Sequence, residues 1–186
     1  MYKSKSGFTI VELLIVIVII GILAAITVVT YSGIQQRARD TARTSDMASI
    51  QKALEIYRTS NPTYPPRDSI GTNQPAGFSP RYGSSYEYSV ATNGSWQTEL
   101  VDEGILNSVQ VDPLNDNNHY YIYWASGPNG YGACTEPFYV LVAYGYESGN
   151  IPTSSQTLTC TMPDGSFGSH WAENSTQAVF SNTQTP

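Results

Sequence analysis

A glutamate stands at the start of a run of residues that otherwise suits a lipid bilayer. From Leu13 to Gln36 the chain has 24 residues without a charge, and the part from Leu13 to Val29 is almost wholly aliphatic. As a helix, the uncharged stretch spans about 36 Å, which is enough to cross a hydrocarbon core of about 30 Å. A core helix of a soluble domain is rarely apolar on all sides for so long. The sequence therefore predicts a membrane-spanning helix with Glu12 near its start.

The charges of the chain are distributed unevenly. Nine Lys and Arg against fifteen Asp and Glu give a net charge of −6. No Lys or Arg follows Arg81, whereas ten acidic residues lie between Glu87 and Glu173. Because an acidic surface repels phosphate backbones, we expect no direct contact with nucleic acid. A well-solvated surface accounts for this acidity, and cation binding is the alternative.

The chain contains two cysteines, Cys134 and Cys160. If the part of the chain beyond the apolar run is exported, a disulfide between them is the default, and two separate buried thiols are the alternative. Closing this loop would stabilise the fold by roughly 3 to 4 kcal/mol in the chain-entropy description. Neither cysteine has a CxxC or His/Cys spacing, so the sequence does not favour zinc.

The segment before the apolar run differs from an ordinary secretory signal, whose cleavage site follows its apolar region. The leader "MYKSKSG" is short and basic and ends in a glycine, which a protease can approach closely. The stretch "SGFTIVELLIVIVIIGILAAI" resembles the N-terminus of a type IV prepilin. The residues that carry this resemblance are the leader ending in Gly7, then Phe8, Thr9, and Glu12 as the fifth residue of the mature chain.

The resemblance to prepilins implies a processing site and an orientation. A membrane peptidase would cut between Gly7 and Phe8 and methylate the new amino group of Phe8, leaving the leader in the cytoplasm and the head outside. A carboxylate in an apolar span requires a partner. In a filament, Glu12 of an incoming subunit would pair with the Phe8 amine of a neighbour and so set the axial register. The alternative is that Glu12 simply lies among the lipid headgroups.

The chain after the bilayer is expected to stay helical up to the first proline. Residues 1–7 form the predicted leader, 8–31 the transmembrane or filament-core helix, 32–60 an amphipathic helix, and 61–186 a β-rich head with a Ser/Thr-rich C-terminal region. Between Ile34 and Asp46 the pattern predicts a neck that packs mostly against other subunits. Beyond it, an apolar stripe with spacings of three and four residues would pack on the head: Met47, Ile50, Leu54 and Tyr57.

The head alternates short strand-like runs with turns. "SYEYSV", "YYIYWAS", "FYVLVAYGYES" and "TLTCTM" are rich in Tyr, Val, Ile and Thr. "WQTELVDEGILNS" predicts a short helix with Leu100, Ile105 and Leu106 facing inward. This order of elements predicts an α+β fold in which a long N-terminal helix packs on an antiparallel β-sheet. From "ESGNIPTSSQTLTC" to the C-terminus, the composition predicts a specialised loop and tail.

The remaining clusters of polar residues give weak signals. "DPLNDNN" places Asp112, Asn115 and Asp116 in one turn, and such oxygen ligands suit calcium, but turns use the same residue types for their own hydrogen bonds. No catalytic or nucleotide-binding motif is recognised, so we expect neither an enzyme nor a cofactor. The fourteen tyrosines are interpreted as core aromatics with a polar end. Binding of glycans or partner surfaces by exposed tyrosines is the alternative.

These observations predict a subunit of a type IV pilus. The resemblance implies a single-pass protein of the cytoplasmic membrane that assembles with copies of itself into an extracellular filament, with the prepilin peptidase, an assembly platform and an ATPase as partners. Such filaments serve adhesion, twitching motility or DNA uptake. Two alternatives stay open. The chain is a pseudopilin of a type II secretion or competence system, or it is a membrane-anchored ligand-binding head that does not polymerise.

Overall fold

The structure, a computed structural model of the chain, describes residues 7–66, 87–88, 97–131, 134–149, 151–152 and 177–181. The predicted strand "TLTCTM" lies outside these residues. By their contacts, residues up to Ala38 and residues from Arg39 onward form two compact units. The first helix, α1, begins at Ile10 and ends at Ser60. It is continuous through Gly21 and Gly33.

The N-terminal part of α1 is exposed along its whole circumference. Every residue from Gly7 to Thr27 is solvent-exposed, including Ile15 and Leu23. Within the described part of the chain, α1 is the one helix long and apolar enough to cross a membrane, by length and composition. A helix that is apolar on all sides needs lipid or other helices around it. Its composition therefore agrees with the predicted membrane anchor.

The C-terminal end of α1 is set by Asn61 and Pro62. The backbone and side-chain nitrogens of Asn61 both donate to the carbonyl of Tyr57, at 3.1 Å each. Pro62 then has no N–H with which to continue the helix. The predicted end at Ser60 is confirmed. The predicted start at Phe8 lies two residues before the observed one, because Thr9 caps the helix instead of entering it.

The head is built on a four-stranded antiparallel sheet in the order β1-β2-β3-β4. The strands are β1 (Glu87–Tyr88), β2 (Tyr120–Ala125), β3 (Tyr139–Tyr144) and β4 (Gln177–Ser181), and a short helix α2 (Gln97–Asp102) precedes β2. The predicted α+β class with an antiparallel sheet is confirmed. The C-terminal region, however, was expected to be a loop and tail, and β4 contradicts that expectation. Its residues pair with β3 throughout its length.

The core lies between one face of the sheet and the second part of α1, which runs from Arg39 to Ser60. All four residues of the predicted helix stripe, Met47, Ile50, Leu54 and Tyr57, are buried. Their partners alternate along β2 and β3, as the two-residue period of a strand requires. These sheet residues are Tyr121, Tyr123, Ala125, Tyr139, Leu141 and Ala143. Leu100 is buried as well, and Ile105 and Leu106 pack against this core, which confirms their predicted direction.

The tyrosines of this core keep their hydroxyl groups paired. Tyr121 donates to the carboxylate of Asp46 at 2.7 Å, and Tyr57 donates to Glu99 at 3.1 Å. The hydroxyl of Tyr123 reaches the carbonyl of Pro65 at 2.9 Å. A buried phenol without a partner would cost free energy, so these bonds allow rings with a polar end to fill the core. The interpretation of the tyrosines as core aromatics is confirmed for these three.

Candidate functional site

The first site is the N-terminus of α1, where Thr9 and Glu12 bond to each other. Glu12 Oε2 accepts from the backbone nitrogen of Thr9 at 2.8 Å and from its hydroxyl at 2.7 Å. In return, Thr9 Oγ1 accepts from the backbone nitrogen of Glu12 at 3.3 Å. This reciprocal pair is a capping box, which satisfies backbone N–H groups that have no partner inside the helix. Glu12 therefore helps to begin the helix of its own subunit.

The capping role leaves Glu12 able to bind a further group. A carboxylate has about four lone-pair positions, and the bonds to Thr9 use Oε2 alone. Phe8 and Gly7 are both exposed, Phe8 to 88% of its surface. The cut after Gly7, the methylation of Phe8 and the pairing of its amine with Glu12 stay predictions, and they agree with this accessible geometry.

The second site is a buried cluster of charges around Arg43, on the part of α1 that packs on the head. Arg43 is fully buried. Its Nε and Nη2 bond to the two carboxylate oxygens of Asp112 at 2.7 and 3.1 Å. Its Nη1 reaches Asp40 at 2.7 Å and Glu147 at 3.0 Å. One guanidinium thus joins the helix to the loop before β2 and to the segment after β3.

The same cluster holds the backbone after β3. The carboxylate of Asp40 accepts from the backbone nitrogens of Glu147 and Ser148, the latter at 2.7 Å. Arg39 binds both carboxylate oxygens of Glu147 at 2.7 and 2.6 Å. Such two-pronged pairs fix orientation as well as distance. The segment at residues 147–148 is therefore held to α1 by side-chain and backbone bonds together.

The electrostatics of the cluster follow from these contacts. The Arg39 hydrogen bonds, with help from Arg43, lower the pKa of Glu147 to about 2 despite partial burial. For Asp40, burial acts to raise the pKa, but the bonds from Ser148, Glu147 and Arg43 outweigh it and lower the pKa. Burial acts to lower the pKa of Arg43, and the bonds from Asp112 and the other carboxylates raise it instead. Glu147, Asp40 and Arg43 therefore stay ionised at neutral pH.

This cluster corrects part of the predicted neck between Ile34 and Asp46. Sequence reasoning expected that stretch to pack mostly against other subunits, whereas Asp40 and Arg43 are buried within the chain's own head unit. The reason is that carboxylates distant in sequence compensate the buried charge. Asp112 and Glu147 lie 69 and 104 residues from Arg43. A buried arginine is recognised from sequence only when its partners are known.

Two of the three weak calcium candidates, Asp112 and Asp116, are bonded to other groups of the chain. Both carboxylate oxygens of Asp112 are bonded to Arg43, whose positive charge stands where a cation would. The carboxylate of Asp116 accepts from the ring of His119 and from the backbone nitrogen of Asn118, both at 2.8 Å. Asn115 adopts a left-handed backbone with φ of 48°. In the described part of the chain, no group of three or more His, Cys, Asp or Glu could hold a metal.

Only one of the two cysteines lies among the described residues. Cys134 is buried, with 2% of its surface exposed. Cys160 lies outside the described residues, so the predicted disulfide between them stays a prediction.

Comparison with known proteins places the chain in a family. Residues 2–28 match the family described as the prokaryotic N-terminal methylation motif. The type II secretion system core protein G of Pseudomonas aeruginosa is 30% identical over 150 residues, which cover 80% of this chain and 90% of that protein. The chain belongs to the family of type IV pilins and secretion pseudopilins. The predicted resemblance is therefore confirmed, and pilin-like membrane anchoring follows from it.

Other relatives of the same name match over about a third of the chain. Core protein G of Aeromonas hydrophila is 38% identical over 63 residues, 34% of this chain and 44% of that protein. Core protein G of Escherichia coli is 39% identical over 62 residues, 33% of this chain and 43% of that protein. The chain thus aligns with less than half the length of these two relatives. No solved structure matches the chain.

Proposed function

We propose that this protein is a pseudopilin, a structural subunit of a filament that belongs to a type II secretion system. The observation that carries the proposal is the 150-residue match to core protein G of Pseudomonas aeruginosa. The methylation motif at residues 2–28 is common to pilins and pseudopilins, so it cannot separate them. A match that continues through the head supports the secretion alternative over the pilus subunit that the N-terminal motif favoured.

The geometry supports an assembly role for the two sites. The apolar part of α1 is exposed on all sides and would be covered first by lipid and then by the helices of other subunits. The Arg43 cluster would keep the head in one orientation on its helix during that transfer. In this proposal the prepilin peptidase, an assembly platform, an ATPase and other copies of the chain are the partners. The chain's role is structural and not catalytic.

The decisive experiment compares secretion with filament content in the native organism. In a deletion strain we expect extracellular enzymes to accumulate inside the cell envelope, with secretion restored by the wild-type chain. Mass spectrometry should find the peptide that begins at methylated Phe8 mainly in the washed membrane fraction. Abundant processed chain in sheared surface filaments, with secretion unaffected by the deletion, would instead assign the protein to a pilus. An uncleaved leader in every fraction would defeat both filament functions.

A matched pair of variants tests the assembly role of Glu12. In Glu12→Gln the amide can still serve in the capping box with Thr9, because Gln takes the same position as Glu in this motif. Glu12→Ala removes both the cap and the charge. If pairing with the Phe8 amine matters, both variants should be cleaved normally and both should fail to form cross-linkable oligomers. Normal oligomers from Glu12→Gln alone would show that Glu12 acts only as a helix cap.

A further inference from the structure

An aromatic cleft lies at the end of β2, between residues that follow α1 and the loop after β2. Its cavity has a volume of about 350 Å³. We define the aromatic cleft by six of the residues that line it: Thr63, Tyr64, Trp124, Ser126, Pro128 and Tyr131. It shares no residue with the Thr9–Glu12 capping box or with the Arg43 cluster.

The rings of the cleft are held in fixed relative positions. Trp124 meets Tyr131 edge to face with centroids 5.5 Å apart, and it contacts Phe138 at 5.3 Å. Tyr64 packs edge to face against Tyr139 at 4.9 Å. Tyr131 is 48% exposed, so one ring of the cleft is available at the surface. Because the rings already contact one another, their apolar faces are in position before a ligand binds.

The loop that carries Tyr131 is held by backbone bonds. The nitrogen of Gly130 donates to the carbonyl of Gly127 at 3.0 Å, and Tyr131 and Cys134 exchange bonds of 2.9 and 3.2 Å. Gly130 has φ of 71°, and a Cβ there would lie 1.8 Å from the carbonyl oxygen of Cys134. Glycine is therefore required at this position. The cleft is preformed, which lowers the entropic cost of binding.

The polarity of the cleft restricts the kind of ligand. None of the described residues that line it is charged, although the chain has a net charge of −6. Thr63 and Ser126 line the cleft as well, and a hydroxyl can both donate and accept hydrogen bonds. The Ser126 hydroxyl accepts from the nitrogen of Phe138 at 2.9 Å and donates to the carbonyl of Gly127 at 3.3 Å, which leaves it one lone pair for a further donor. A ligand that fits has an apolar face to stack on a ring, a rim of hydroxyls and no charge. This is the chemistry of a neutral sugar.

We propose that the aromatic cleft binds a neutral saccharide, with one sugar ring stacked on Tyr131 and in contact with Trp124, and with its hydroxyls bonded to the side chains of Thr63 and Ser126. The volume favours a short saccharide over an extended peptide, because it lies near the lower end of the range of about 300 to 1,000 Å³ for ligand cavities. This activity is additional to the proposed filament function. It would allow the subunit to contact polysaccharide while it takes part in assembly.

The proposal is tested by titration of the full chain in a zwitterionic detergent that contains no sugar headgroup. The probes are maltose, cellobiose and N,N′-diacetylchitobiose, followed by tryptophan fluorescence and saturation-transfer NMR. We expect at least one probe to bind with Kd on the order of 1 mM, as for a small site with few contacts. Tyr131→Ala should weaken that binding about tenfold, because it removes a stacking face. Tyr131→Phe keeps the ring and should change Kd by less than about threefold.

The control variant is Tyr31→Ala, which removes another exposed tyrosine that does not line the cleft. It should leave saccharide binding unchanged, and circular dichroism should show that every variant is folded. Absence of binding by all three sugars up to about 20 mM, some twentyfold above the expected Kd, would overturn the proposal. So would equal binding by Tyr131→Ala. Binding of a ten-residue polyproline peptide in place of the sugars, with loss in Tyr131→Ala, would assign the cleft to peptide recognition instead.

Discussion

The two parts of α1 share one continuous helix but have opposite surroundings. Leu23, in the first part, is 59% exposed, whereas Leu54, in the second, is fully buried. The first part is apolar on all sides and exposed, while the second has a stripe that packs on the sheet. Hydrophobicity alone therefore does not show which part of a helix is buried in its own domain. The distribution of apolar residues around the helix indicates it.

The largest expected effect comes from Arg43, which ties the second part of α1 to the head. In Arg43→Met the apolar stem remains, but Asp40 and Asp112 lose a partner while still buried. Breaking a buried ion pair by removing one partner costs about 3 to 5 kcal/mol. We therefore expect the free energy of unfolding of the head to fall by that amount, measured by urea titration of the full chain in micelles.

The matched control for Arg43 is Lys52→Met, which removes an exposed cation from the same helix. Surface substitutions usually change stability by less than about 0.5 kcal/mol. Equal losses of unfolding free energy in the two variants would mean that the Arg43 cluster stabilises the head no more than an exposed charge does.

A second, slightly smaller effect compares directly how much the two parts of α1 contribute to the stability of the head. Leu54→Ala opens a cavity in the core, and such changes cost about 2 to 5 kcal/mol, with about 3 expected here. Leu23→Ala is the matched control, because the same atoms are removed from an exposed position. It should leave head unfolding in micelles unchanged. A comparable loss in Leu23→Ala would show that the first part of the helix contributes to the stability of the head.

The sequence predicted what depends on local pattern. The end of α1 before Pro62 and the buried stripe through Met47 and Leu54 follow from proline chemistry and helical period. β2 and β3 are visible as aromatic and β-branched runs. The capping box was missed although its signal, Thr9 followed three residues later by Glu12, is present in the sequence. The family motif had drawn attention to the intermolecular role of Glu12 alone.

What sequence reasoning missed depends on partners that are distant along the chain. Arg43 looks like a flanking cation until Asp112 and Glu147 are brought beside it. β4 lies in a Ser/Thr-rich region, and its segment "QAVFS" gains its stability from pairing with β3, not from local propensity. The aromatic cleft also cannot be recognised from the sequence, because it is lined by residues before the sheet and by residues at the end of β2, which are distant along the chain. Tertiary contacts, not propensity, decide these three features.

The smallest of the expected effects concerns pH and Glu147. Its folded pKa of about 2 lies below its ordinary value of 4.5. A carboxylate with a lowered pKa contributes stability that is fully present above about pH 4.5 and is lost as the pH falls towards 2. Allowing for partial exposure, this contribution is about 2 kcal/mol. Asp40 has the same sign, because its pKa is also lowered. Asp46 has the opposite sign, because burial raises its pKa.

The variant Glu147→Gln isolates this contribution from the other carboxylates. It removes the titrating group but keeps a side chain of similar size that still accepts a hydrogen bond from Arg39. At pH 7 the variant should be less stable than the wild type by about 2 kcal/mol, and the two stability curves should converge as the pH falls from 4.5 to 2. Urea titrations at four pH values across this window measure the convergence. Curves that coincide at every pH would show that the ion pairs of Glu147 with Arg39 and Arg43 add nothing to the stability of the head.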